Sequence, residues 1–141
     1  MALVPDFPRI IEETFYQKTY VQTQIMGRAL MESIRFMDGT CIVSSVSKKD
    51  MEFYGVTTKD LDGIVNQLRN IKGIHCAIFM YETDVLEYKV SMRSDEKVNV
   101  AQVASYFGGG GHVRAAGCTM KGTFHDCVNN LSLHIAKQLE G

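Results

Sequence analysis

The chain has 141 residues, 45% hydrophobic and 22% charged, with a formal net charge of −1. That is long and apolar enough for a real core, which excludes a disordered chain. It also lacks the basic surplus of a nonspecific binder of long nucleic acid, although a few well-placed donors could still hold a small anion.

The opening "MALVPDFPRI" has neither a basic n-region nor a sustained apolar stretch, so it does not read as a secretory signal. No segment approaches the roughly 20 apolar residues of a membrane helix, so no membrane partner is expected. Residues 10–20 read as a short helix. Residues 21–37 read as a longer one, with Val21, Ile25, Leu30, Ile34 and Met37 along one stripe. Residues 40–46, "TCIVSSV", form a β-type run, and Ser47 can cap the short helix that follows, with Asp50 three positions on.

The pattern predicts one helix over residues 57–72, with Leu61, Ile64, Val65, Leu68 and Ile71 on its apolar side and Gly73 at its C-cap. "IHCAIFM", residues 74–80, reads as a buried strand, and "ETD" as the connection into a second one. In that second strand Leu86, Tyr88, Val90 and Met92 alternate with Glu87, Lys89, Ser91 and Arg93, which puts Arg93 at the far end of a polar face. Asn99 can cap the next helix, with Gln102 completing a box. "AGCTM" is a short β-type run, and Thr123 can cap a last helix carrying Cys127, Leu131 and Ile135 on one side.

These elements define an α/β fold: a mixed sheet of about four to five strands flanked by helices, with a helical N-terminal lead. Cys41, Cys76, Cys118 and Cys127 form no C-x-x-C pair and no zinc-finger spacing. Three of them fall in apolar runs, where a free thiol packs as a small hydrophobe. Reduced core cysteines and a cytoplasmic setting are therefore expected.

The stretch "YFGGGGHVRAAG", residues 106–117, follows a predicted helix, whereas Walker loops and dinucleotide fingerprints follow a strand. Gly108 is accounted for as a helix C-cap. Gly109, Gly110 and Gly111 would let a backbone turn sharply and bring its N–H groups close to a ligand. His112 and Arg114 follow, and Arg93 with Ser94 close the strand ending "SMRS". Residue types alone leave two readings open, an anion clamp or a flexible loop with solvated side chains.

Together "VSMRS" and "FGGGGHVRAAG" resemble the DHH-associated domain, the C-terminal substrate-binding domain of DHH-family phosphoesterases. The branch most similar is that of the bifunctional oligoribonucleases and PAP (adenosine 3′,5′-bisphosphate) phosphatases. "LDGIVNQLRNIKGI" matches the same family's helix leading into a strand. The resemblance divides the chain into a helical lead-in, residues 1–39, and the DHH-associated domain, residues 40–141. It implies that substrate is held by Arg93, Gly109, Gly110, Gly111 and His112, with Ser94 in a weaker role, and it lends no support to Arg114.

It also implies a partner, the N-terminal DHH domain of the same full-length chain, carrying two divalent ions, typically Mn²⁺, on clustered aspartates and an Asp-His-His triplet. This sequence has no Asp-His-His. Its D-x-D, Asp60-Leu61-Asp62, stands in a first helical turn, where carboxylates serve as caps. His75, His125 and His134 make no ligand set with it. No catalytic residue and no metal is expected in this chain, which reads as the C-terminal half of an enzyme starting at an added or fortuitous methionine. The implied substrates are short single-stranded RNA oligonucleotides or adenosine phosphates. The alternatives are a nucleotide-binding regulatory module without catalysis, or the equivalent domain of a RecJ-like exonuclease or cyclic-dinucleotide phosphodiesterase. Alanyl-tRNA synthetases carry a related domain whose glycine motif lacks the histidine.

Overall fold

A computed structural model describes residues 18–140. The helix expected over residues 10–20 lies outside them except at its end, where Thr19 is extended (φ −70°, ψ 161°) and caps the next helix. Helix α1 (Tyr20–Met31) opens on a reciprocal box in which Thr19 Oγ1 accepts from the Gln22 amide and Gln22 Oε1 accepts from the Thr19 amide. It stops at Met31, six residues short of the predicted end. Ile34–Phe36 forms strand β1, paired antiparallel with β2 (Cys41–Val46). The intervening turn holds Met37 and Asp38 at positive φ (51° and 57°) beside Gly39 (80°), a chain reversal that no helix continues through.

Ser47 caps α2 (Lys48–Tyr54) as expected, by accepting from the Asp50 amide. The helix predicted over residues 57–72 is two pieces, a 3₁₀ turn (Thr58–Leu61) and α3 (Ile64–Arg69). Gly63 at φ 91° separates them. Strand β3 (Cys76–Asp84) runs on through Glu82, Thr83 and Asp84, and the reversal into β4 (Glu87–Ser94) falls at Val85 and Leu86. Helix α4 (Val100–Ser105), strands β5 (Gly110–His112) and β6 (Ala115–Lys121), and helix α5 (Phe124–Glu140) complete the chain.

The sheet is mixed and six-stranded, in the order β1-β2-β3-β4-β6-β5. Only the β2–β3 pair is parallel, with α2 and α3 in its crossover. Strand alternation assigns residues to two faces. On the first face Cys76, Ile78, Met80, Val90 and Met92 are solvent-free under Val100 and Val103 of α4 and Cys127, Leu131 and Ile135 of α5. Burying an aliphatic side chain of this size stabilises the fold by about 1.5–3 kcal/mol. All four cysteines are free and buried here, and burial pushes the thiols of Cys41 and Cys118 up to about 11 and those of Cys76 and Cys127 upward as well. Such thiols pack rather than react.

On the second face Ile25 and Ala29 of α1, with Ile64, Val65 and Leu68 of α3, cover Ile42, Ala77 and Phe79 of β2 and β3. The cover stops there. The helices of this side reach only the margin of β4. Beyond it Lys89, Ser91 and Arg93 of β4 and Ala115, Gly117 and Thr119 of β6 are at least partly open to solvent.

Candidate functional site

Register brings the ends of the two sequence motifs together. Arg93 pairs with Ala115, and Ala115 pairs with His112, so the three form one row across β4, β6 and β5. Directly opposed residues share a face, so Arg93 and His112 stand on the same, uncovered side of the sheet. Two strand spacings separate their backbones, about 10 Å. The adjacent row, Ser91–Gly117–Gly110, carries almost no side chain. The result is a shelf floored by alanine and glycine, with a guanidinium at one end and an imidazole at the other.

Each end is held in place. Arg93 Nε donates to Asn66 Oδ1 of α3 at 3.1 Å, and its Nη1 donates to the Met92 carbonyl at 2.9 Å. The remaining three of its five N–H donors have no partner among the described residues, and they suit phosphate oxygens. His112 is exposed, with no hydrogen-bond partner among the described residues. The hairpin beyond it, turning at Val113 and Arg114, is tied back to the end of β4: the Ser94 amide donates to the Arg114 carbonyl at 3.0 Å, and the Val100 amide to the Val113 carbonyl at 2.9 Å. Helix α4 therefore begins and ends against the same hairpin, because the Gly109 amide closes it on Ala104 O at 3.0 Å.

The four glycines have different reasons to be glycine. Gly108 takes φ 77° and ends α4 as expected. A Cβ on Gly109 would lie 2.1 Å from the Gly117 carbonyl oxygen, and one on Gly111 (φ 145°) 2.6 Å from that of Ala115. These two let β5 lie against β6. They do not form the compact turn expected from the sequence, and β5 is a strand that the glycine-rich pattern hid. Gly110 alone of the three has nothing within 4 Å of its would-be Cβ and an ordinary φ. The protein itself does not require a glycine there.

Ser94 does not reach the shelf. It follows Arg93 in the strand and so faces the other way, 7% exposed, with Oγ donating to the Val98 carbonyl at 2.7 Å and lying 3.2 Å from that of Val113. The hydroxyl fastens α4's approach to the hairpin. Arg114 lies in the turn, its Nη1 3.5 Å from Val98 O.

The D-x-D residues separate. Asp60 Oδ2 accepts from the Thr57 amide and Oδ1 from Gln22 Nε2, both at 2.8 Å. Those bonds hold its carboxyl below the usual range, the Thr57 amide most of all. No group of three or more His, Cys, Asp or Glu side chains among the described residues is arranged to hold a metal ion. His75 Nδ1 pairs with Asp95 Oδ2 at 2.5 Å, just past the β3–β4 ladder. Burial raises the Asp95 pKa, but the His75 hydrogen bond and the Lys97 amide outweigh it and leave the carboxyl lowered.

Along β4 the shelf continues into a cleft of about 270 Å³ walled by Thr58, Lys59, Leu61, Asp62 and Gly63 on one side and by Lys89, Ser91 and Arg93 on the other. Lys59 and Asn66 had not stood out in the sequence, and Asp62 only as a capping carboxylate of the D-x-D. They sit on the polar side of what reads as one long helix, and only the break at Gly63 turns them toward β4.

The pattern of the DHHA1 domain matches residues 38–140. The chain belongs to this family, the domain associated with the DHH phosphoesterases. It is 32% identical over 99 residues (70% of the chain) to the bifunctional oligoribonuclease and PAP phosphatase NrnA of Thermus thermophilus. To the enzyme of the same name from Mycoplasma pneumoniae it is 42% identical over 57 residues, or 40% of the chain. The chain spans only 29% and 17% of those two relatives. In fold it is similar to an exopolyphosphatase-related protein from Bacteroides fragilis, with a TM-score of 0.85 at 25% identity over 96% of this chain and 40% of that one.

Proposed function

We propose that this chain is the substrate-gripping domain of a DHH-family phosphoesterase that acts on short oligoribonucleotides, on adenosine 3′,5′-bisphosphate, or on both. The observation that carries the reading is the row Arg93–Ala115–His112 above a side-chain-free floor. A phosphate set on the shelf meets Arg93 donors from one side and the imidazole from the other, while Gly110 lets the nucleotide approach the backbone. The names of the NrnA relatives supply the substrate class. Divalent ions, Mn²⁺ in this family, belong on this reading to a DHH domain in the same full-length protein, where they would supply the attacking water. The work of this chain is to bind and orient.

The test is calorimetric titration of the 141-residue chain with adenosine 3′,5′-bisphosphate. Arg93→Ala should weaken binding about 10- to 150-fold, the loss of one or two charge-assisted contacts. His112→Ala should weaken it about 2- to 12-fold, the loss of one hydrogen bond. Full affinity in both variants would overturn the reading.

A further inference from the structure

The cleft beside the shelf has a chemistry of its own. Lys59 on the 3₁₀ turn, Lys89 two rows along β4 from Arg93, and Arg93 itself bring three cations to its rim against one carboxylate, Asp62. In a chain of net charge −1 this is a local excess of positive charge. Lys89 and Arg93 are four residues apart on one strand face, about 13 Å. One nucleoside bisphosphate held at the Arg93–His112 row does not need a second cationic pair that far away. A chain of linked phosphates does. Tyr81 lines both this cleft and an apolar pocket of about 370 Å³ next to it, so the path continues for a longer ligand.

We infer that the cleft is the subsite for the next ribonucleotide of an oligonucleotide whose terminal unit lies on the shelf, an inference that rests on the function proposed above. Lys59 and Lys89 face the internucleotide phosphate. Asp62 accepts a hydrogen bond from a ribose hydroxyl, since an ionised carboxylate only accepts and the 2′-hydroxyl is the donor that distinguishes RNA from DNA. The lone carboxylate among cations is thereby explained. It weakens the hold on phosphate in general and selects ribose.

The experiment titrates the 141-residue chain with 5′-phosphorylated penta-adenylate, its deoxy counterpart and adenosine 3′,5′-bisphosphate over a range of salt. The RNA pentamer should bind more tightly than its deoxy form. For a single strand, log K falls with log salt by about 0.7 per phosphate neutralised. The double variant Lys59→Ala/Lys89→Ala should flatten that slope by about 0.7 and weaken the pentamer roughly 5-fold or more, as two exposed contacts to one phosphate would. It should leave the bisphosphate unchanged. Asp62→Ala should bring the RNA and DNA pentamers to equal affinity. Three results overturn the inference while the gripping function stands: an unchanged pentamer slope in the double variant, equal binding of the RNA and DNA pentamers by the parent chain, or RNA preference retained by Asp62→Ala. If the parent chain binds none of the three ligands, the proposed function falls and the subsite with it.

Discussion

The two faces of the sheet use the same strands for opposite ends. Met92 and Arg93 are neighbours in β4, yet Met92 is solvent-free beneath α4 and α5, while Arg93 is only half-buried on the opposite face, at the edge of the cover that α3 provides. The second face is itself divided, since α1 and α3 cover β2 and β3, reach only the margin of β4, and leave β6 and β5 open. Cohesion is thus concentrated on one side, and the bare half of the other side is available to a ligand without exposing the core. A site built this way can change its chemistry with little change in stability.

The sharpest way to break that contrast is to truncate the two neighbours. Met92→Ala should lower unfolding free energy by about 2–5 kcal/mol in a urea titration, the range for a fully buried side chain that leaves a cavity. Arg93→Ala should lower it by no more than about 1 kcal/mol, because its contacts are polar and partly exposed. Comparable losses from both would mean that the faces are not separate in function.

A finer version compares two glycines one position apart. Gly111→Ala places a methyl group 2.6 Å from a backbone oxygen at φ 145°, so it should destabilise by more than about 1 kcal/mol. Gly110→Ala, with open space around it, should stay within about 0.5 kcal/mol of the parent chain while weakening bisphosphate binding. Melting temperatures and titrations of the two variants check both halves, and an unaffected affinity in Gly110→Ala would remove that residue from the site.

The smallest effect concerns the sheet's end. Asp95 has a lowered pKa in the folded chain. A depressed carboxylate contributes stability above its unfolded value of about 3.9 and loses it as pH falls through the lower, folded value. Asp95→Asn should therefore narrow the difference in stability between pH 6 and pH 3, measured by urea unfolding at the two pH values. An unchanged difference would show that the His75–Asp95 pair contributes nothing.

Much of the fold was legible where one residue type has one local use. Ser47, Asn99 and Thr123 cap the helices expected of them. The box expected at Asn99 closes differently, since its amide is taken by Gln138 of α5 instead of Gln102, a contact between residues 39 positions apart that no local pattern carries. The alternation of β4 placed Arg93 on the polar side, and the same alternation, applied one residue further, would have turned Ser94 inward. Strand β1 was hidden because Ile34 and Met37 extend the stripe of α1, although Asp38-Gly39 already signalled a reversal. Gly63 was hidden for the converse reason, as the residues on both sides of it keep helical spacing. Strand β5 has no alternation to read, being two glycines and a histidine that owe their conformation to β6.

One arrangement described above has a mechanical meaning. The segment from Ser94 to Arg114 is a closed circuit: it leaves the end of β4, forms α4, and is tied back to its starting point by the Ser94 and Val100 amides on the hairpin carbonyls. Arg93 and His112 are therefore the jaws of a caliper whose frame is backbone. Widening the gap would break at least those two hydrogen bonds, each worth about 0.5–1.5 kcal/mol. A bulky ligand cannot prise the jaws apart at less than that cost, whereas a long one has only to run along β4. The frame thus fixes the width of the gap between Arg93 and His112.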